Sequence, residues 1–241
     1  MKINKSIYII SFSFIIVSII IGVYFKSAIK KVESINVTGS AKRDFESDII
    51  VWKSKFSTKK MDLKEAYKKL DGDRKLIYDY LAENDISLDD VIFSSIDISK
   101  KYEYKWDDNG NKFQDFSGYL LTQNLKIESN EVIKIEDLSR DITKLIDLGI
   151  EIQSDRPYYF YSKLSELKID MIAEATRDAS IRAKMIAENA GTLLGKLLKG
   201  QMGVFQIVAK NSTENYSWGG THNKTSKHKT ATVTMKLNFA I

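Results

Sequence analysis

The chain has 241 residues, no cysteine, two histidines, one proline and a formal net charge of +5. The lack of cysteine excludes disulfides, thiolate metal sites and a cysteine nucleophile, and is compatible with an oxidising compartment. The charge is unevenly placed: five lysines and no acidic residue fall within residues 1–31, so the rest of the chain carries 32 basic and 32 acidic residues. A neutral body gives nucleic-acid binding no electrostatic footing.

In chain order, Ile7 to Phe25 is an uncharged run between Lys2 and Lys5 on one side and Lys26, Lys30 and Lys31 on the other. Its length approaches the roughly 20 apolar residues that cross a bilayer, and no small-residue cleavage site closes it. The expectation is an uncleaved, single-pass anchor over 1–31, followed by an extracytoplasmic domain over 32–241. The lysines flanking the run decide its orientation poorly, while the short N-terminal tail favours leaving that end in the cytoplasm.

Alternation predicts strands over Glu33–Ser40 and Asp48–Phe56, separated by a connection at Ala41–Asp44. Asp62 with Glu65 three residues on is a capping-box start for a helix whose stripe is Leu63, Ala66, Tyr67, Leu70, Ile77 and Leu81, with Asn84 as its stop. Gly72 inside it costs about 1 kcal/mol relative to alanine. Val91–Trp106 and Lys112–Glu128 read as two long strands joined through Asn109-Gly110, a hairpin signal in which both turn residues take positive φ. Ile135, Leu138, Ile142 and Leu145 mark a further helix closing at Gly149.

Ile150–Tyr161 returns as a strand containing Tyr158, Tyr159, Phe160 and Tyr161. Alternate members of that run face opposite sides. Sheet packing is its first reading, a protein interface its second and a small-molecule pocket its third. Ser162–Leu198 then reads as one long amphipathic helix, its apolar face built from Leu164, Leu167, Met171, Ala175, Ala179, Ile186 and Ala190, with Gly191 as the stop. Ala175, Ala179, Ala183, Ala187 and Ala190 form a smooth ridge suited to close backbone approach, in a core or at a subunit contact.

Leu198–Lys210 is strand-like, and Asn211–Lys229 reads as an exposed, flexible polar loop. That loop holds Trp218, a further interface candidate, and both histidines, His222 and His228. Cationic neighbours and the lack of nearby carboxylates give these histidines neither a metal set nor a triad. Ala231–Phe239 alternates as a half-exposed strand. No nucleophile elbow, phosphate loop or zinc-helix motif occurs, so the expectation is a protein that is not an enzyme, with no catalytic, metal or cofactor residues. The fold expected is α+β: a transmembrane helix, then a pseudo-duplicated antiparallel-sheet domain of strand-helix-strand-strand units covered by helices.

Five pieces in this order carry a resemblance: Val37-Thr38-Gly39-Ser40-Ala41, Gly118-Tyr119-Leu120-Leu121-Thr122-Gln123, Asp178-Ala179-Ser180-Ile181-Arg182-Ala183, Ala190-Gly191 through Leu194-Gly195-Lys196, and Gly203-Val204-Phe205-Gln206-Ile207. Together they resemble the SIMPL-domain family, in its membrane-anchored bacterial branch, over about Ile35 to Ile241. The resemblance implies an extracytoplasmic α+β domain in the cell envelope, a tendency to homo-oligomerise, and labels linking some relatives to oxidative stress or the outer membrane. It implies no catalytic motif. The expected role is an oligomeric scaffold, with a small-ligand or peptide binding module as the alternative.

Overall fold

A computed structural model describes residues 12–22 and 33–241. Over the described residues the protein is a mixed α+β fold with four helices and two sheets rich in antiparallel pairs. Helix α1 covers residues 12–22. The expected anchor over 1–31 lies partly outside the described residues, and no helix among those described is long and apolar enough to cross a membrane.

The chain divides into two compact units, the smaller from residues up to Ser40 with Ala173–Gly203 and Thr234–Ile241, the larger from Ala41–Ile172 and Val204–Val233. In the larger unit the sheet runs β3-β5-β2-β6, with β4 also on β5 and β7 also on β2. Its strands are β2 (Ile49–Lys60), β3 (Val91–Phe93), β4 (Asp97–Trp106), β5 (Lys112–Ser129), β6 (Glu151–Ser154) and β7 (Tyr158–Phe160). Alternation along β2 sends Ile50, Trp52 and Phe56 to one face, all fully buried. Helix α2 (Leu63–Glu83) covers that face with Ala66, Leu70, Ile77 and Leu81. Asp62 caps the helix by accepting the Glu65 N–H at 2.9 Å, as the sequence signature requires. Helix α3 (Val132–Asp141) and a 3-10 helix over Ile142–Leu148 add Ile135, Leu138, Ile142 and Leu145 to the same core. Gly149, at φ 77°, closes that segment.

Several expected strands are divided differently. β1 is one strand over Ser34–Glu46, running through the expected break at Ala41–Asp44. Asp44 is held there by the Thr230 hydroxyl at 2.6 Å and Lys210 at 3.0 Å, partners too distant in sequence to be read locally. Val91–Trp106 is interrupted at Ser94, whose N–H donates to the Asn124 carbonyl. Ile150–Tyr161 is interrupted at Asp155-Arg156-Pro157, before β7. The turn after β4 differs too, because only Gly110 of its Asn-Gly pair has positive φ. Asp107 orders that turn by accepting the N–H groups of Asn109 and Asn111.

In the smaller unit β8 (Leu197–Met202) pairs antiparallel with Met235–Phe239 of β11 (His228–Ala240). The ladder with β11 breaks between Met202, opposite Met235, and Gln206, opposite Thr232, where three residues face two, so Leu198–Lys210 is not continuous. Helix α4 (Leu164–Asn189) turns its alanine ridge onto β1. A Cβ at Gly39 would come within 2.3 Å of both the Ala175 carbonyl and the Ala179 nitrogen. Ala179 and Ala183 share a core with Val37, Leu237 and Phe239. The ridge is buried as far as Ala187, while Ala190 at its end and Ile186 of the expected apolar face are exposed. Gly191, at φ 74°, follows the helix.

β9 (Gln206–Ala209), in the larger unit, pairs antiparallel with Lys229–Thr232 and parallel with β10 (Thr221–His222). The segment expected as a flexible loop is therefore tied down. The buried Gln206 side chain donates to the Ser217 carbonyl at 2.7 Å and accepts the Thr221 N–H at 2.8 Å.

Candidate interaction surface

At about 3.4 Å per residue the 18-residue β5 spans roughly 60 Å. At 1.5 Å per residue the 21-residue α2 spans only about 31 Å. One helix cannot cover that strand, and the consequence is visible along a single face. Leu121, Gln123, Leu125 and Ile127 are buried, whereas Tyr102, Tyr104 and Trp106 of β4 are not.

Gly118 marks the border. Its φ of 121° and the 2.6 Å separation between an added Cβ and the Lys60 carbonyl fit only glycine. β2 ends beside it, with Lys60 opposite Tyr119. The β4–β5 register also shifts here: Lys101 lies opposite Gly118 and Tyr102 opposite Phe116, so Ser117 is an extra residue. That bulge turns Phe116 to the side already occupied by Tyr119, and the two rings meet edge to face at 5.2 Å.

Beyond Gly118 the hairpin has two unlike faces. One carries Tyr102, Tyr104 and Trp106, at 53%, 60% and 67% exposure. Tyr102 meets Phe116 edge to face at 5.8 Å. Tyr104 receives a hydrogen bond from the Gln114 amide at 2.9 Å and the Lys112 ammonium over its ring at 3.9 Å. The other face carries ion pairs, Glu103 with Lys59 at 2.9 Å and Lys105 with Asp115. Hydrogen bonding from Lys59 lowers the Glu103 pKa, and hydrogen bonding to Asp115 raises that of Lys105.

The sequence-derived aromatic candidates are scattered. Tyr158 is well exposed on β7, opposite Val51. Tyr159 is buried and donates its hydroxyl to Glu136 at 2.8 Å, with its pKa pushed up to about 12 by burial and that carboxylate. Phe160 is half-buried opposite Ile49, and the Tyr161 ring lies 5.0 Å from Phe45. Trp218 is fully exposed on the segment before β10. Among the described residues no hydrogen bond or ring pair joins Trp218 to the tyrosine strand.

Behind β7 sits a lysine that sequence reading passed over as part of a polar loop. Lys229 is 1% exposed, and its ammonium donates to the Tyr159 carbonyl at 2.6 Å. Burial lowers its pKa to about 8. Burial and the charges of Lys229, Lys168 and Lys224 also lower the His222 pKa. His228 opens β11, exposed, 3.8 Å from Glu46.

A family model for SIMPL, described as a protein of unknown function (DUF541), matches residues 35–237. The chain belongs to the SIMPL family. No curated protein matches it. In this SIMPL chain, residues that carry the resemblance do packing work. The Ser40 N–H donates to Asp178 at 2.8 Å, and Asp178 also binds Arg182 at 3.0 Å. That backbone donor, followed by Arg182, lowers the Asp178 pKa. Gly39 and Gly118 sit where backbone approaches too closely for any side chain. The SIMPL match thus accounts for the framework. The bare aromatic face is what the framework presents, and its sequence signal was the alternation Tyr102-Glu103-Tyr104-Lys105-Trp106 beside the turn.

Proposed function

We propose that this SIMPL protein is a non-enzymatic, membrane-anchored component of the bacterial cell envelope. Its extracytoplasmic body acts as an oligomeric structural or interaction scaffold, in the setting of envelope or oxidative stress. The observation that carries the scaffold reading is the aromatic hairpin face beyond Gly118, which continues the buried sheet face into solvent. An exposed apolar surface of that kind marks a site for another surface. The anchor draws support from the uncharged run Ile7–Phe25 and from α1, whose described residues are exposed all round and include Phe12, Phe14, Ile15, Ile19 and Ile20. A helix apolar on every side belongs in an apolar medium.

The order strand, helix, strands recurs in β2-α2-β4-β5 and β7-α4-β8-β11, and this order alone supports a pseudo-duplicated origin, since β7 pairs with β2 rather than with β8 or β11. Light scattering of the detergent-solubilised full chain is expected to give a mass above that of one subunit. A monomer at high concentration overturns the scaffold reading. Labelling of intact cells with a membrane-impermeant reagent is expected to reach Lys64 and Lys68, both exposed on α2, and protection of both places the body in the cytosol instead.

The second reading, a small-ligand or peptide module, is favoured by an open pocket of about 580 Å³ lined by Lys55, Ser57, Ile146, Glu151 and Gln153. A thermal-shift screen that raises Tm, with loss of the shift in Ile146→Asp, would select that reading.

A further inference from the structure

β4 pairs with β5 along one side, and along its other side no strand pairs with it among the described residues. An unpaired edge of ten residues offers a row of free backbone donors and acceptors. Edges of this kind are commonly blunted by a proline, a bulge or lysines, and the lysines of β4, Lys100, Lys101 and Lys105, are the charges any pairing has to accommodate. Here there is no proline, and the extra residue, Ser117, belongs to β5.

The side-chain pattern of β4 is complementary to itself. Two antiparallel copies related by a twofold axis through the sheet bring residues of the same face together, so the axis must fall on a residue. An axis at Lys101 sets that lysine against itself, and one at Glu103 sets Lys101 against Lys105. With the axis at Tyr102, Lys101 of each copy lies opposite Glu103 of the other. Tyr102 then meets Tyr102, Lys100 lies against Tyr104, and Ile98 lies against Trp106. Opposite charges on one face and ring-to-ring, cation-to-ring and aliphatic-to-ring pairs on the other each stabilise a cross-strand pair. Lys101 makes no ion pair among the described residues, and Glu103 uses only Oε1 for Lys59. An axis at Tyr104 also opposes Glu103 to Lys105, but Lys105 already binds Asp115 and the strand ends at Trp106. That alternative pairs only residues 102–106, whereas the axis at Tyr102 pairs 98–106.

We propose that the outer edge of β4 docks onto the same edge of a second copy of this chain, antiparallel, with the twofold axis at Tyr102. The product is a continuous β5-β4-β4-β5 sheet whose aromatic faces merge. The proposal rests on the scaffold reading above and names its partner and its register.

The test uses the full chain, whose lack of cysteine makes any introduced thiol unique. Directly opposed residues have Cα atoms about 4.5–5.5 Å apart, within disulfide reach. Tyr102→Cys is expected to give a covalent dimer on mild oxidation. Lys100→Cys and Tyr104→Cys should each give about ten-fold less alone, because like residues are then offset by four positions, roughly 14 Å. Mixing those two variants should produce the crossed dimer. Equal cross-linking of all three single variants overturns the register. No crossed dimer from a protein that light scattering shows to be oligomeric overturns this edge and leaves the scaffold reading intact. No cross-link from a monomer overturns both.

Discussion

Two stretches of one sheet face behave in opposite ways. Around Leu121, Leu125 and Ile127 the β5 face is sealed by α2; a few residues farther out, the face formed by Phe116, Tyr102, Tyr104 and Trp106 lies open. Residue class does not separate them, since both are apolar and both alternate. Length does, because a residue advances about 3.4 Å in a strand but only 1.5 Å in a helix. A hairpin longer than its covering helix must leave a remainder. The lesson is that hydrophobic pattern identifies which face wants burial, and neighbouring element lengths decide whether the chain supplies it.

The sharpest way to break that contrast is to truncate a tryptophan on the sealed part. Trp52 is fully buried and donates its indole N–H to Ser154 at 3.0 Å. Trp52→Ala should lower stability by about 4 kcal/mol in urea unfolding. At the border, Gly118→Ala should cost about 3 kcal/mol by the same measurement, combining a disfavoured φ with overlap on the Lys60 carbonyl. Here only a change of backbone path could relieve the contact.

Lys229 offers the inverse case, a charge enclosed rather than an apolar face left open. Its folded pKa of about 8 lies below that of the unfolded chain, near 10.4. Above pH 8 the unfolded state therefore holds more protons, and stability rises with pH. The gain between pH 7.5 and 9.5 should be about 2 kcal/mol, and Lys229→Met should abolish it. Tyr159 acts in the other direction only later. Its raised pKa gives stability that is complete below pH 10 and lost as pH climbs towards 12.

Smaller effects test the covering helix and the open end. Asp62→Ala removes the cap that starts α2 and should cost about 1 kcal/mol, read in thermal melts. Trp106→Ala should change monomer stability by less than about 0.5 kcal/mol, while weakening self-association in sedimentation. Equal stability losses at Trp52 and Trp106 would erase the distinction between the two stretches.

The legible parts of this fold were those whose causes lie close together in sequence. The Asp62–Glu65 cap, the Gly149 and Gly191 stops and the alternation of Ala231–Phe239 are all local. What escaped depends on distant partners. β1 continues through Ala41–Asp44 because Thr230 and Lys210 hold Asp44. The polar segment before β11 is fixed because Gln206 reaches Ser217 and Thr221. The run Tyr158–Tyr161 announced an aromatic strand but not that Tyr159 would be buried against Glu136. The hairpin face was half-legible: its alternation is plain in sequence, while its nakedness follows only from where Gly118 and Lys60 meet.

The enclosed amine of Lys229 has one more consequence, for reactivity. A lysine that titrates near pH 8 has a large uncharged fraction in mildly alkaline buffer, and in the open it would be acylated ahead of ordinary surface lysines. Sealed against the Tyr159 carbonyl, it can react only when β7 and β11 part. Acylation of that one side chain, followed by mass spectrometry, would time the opening of this seam without any introduced label.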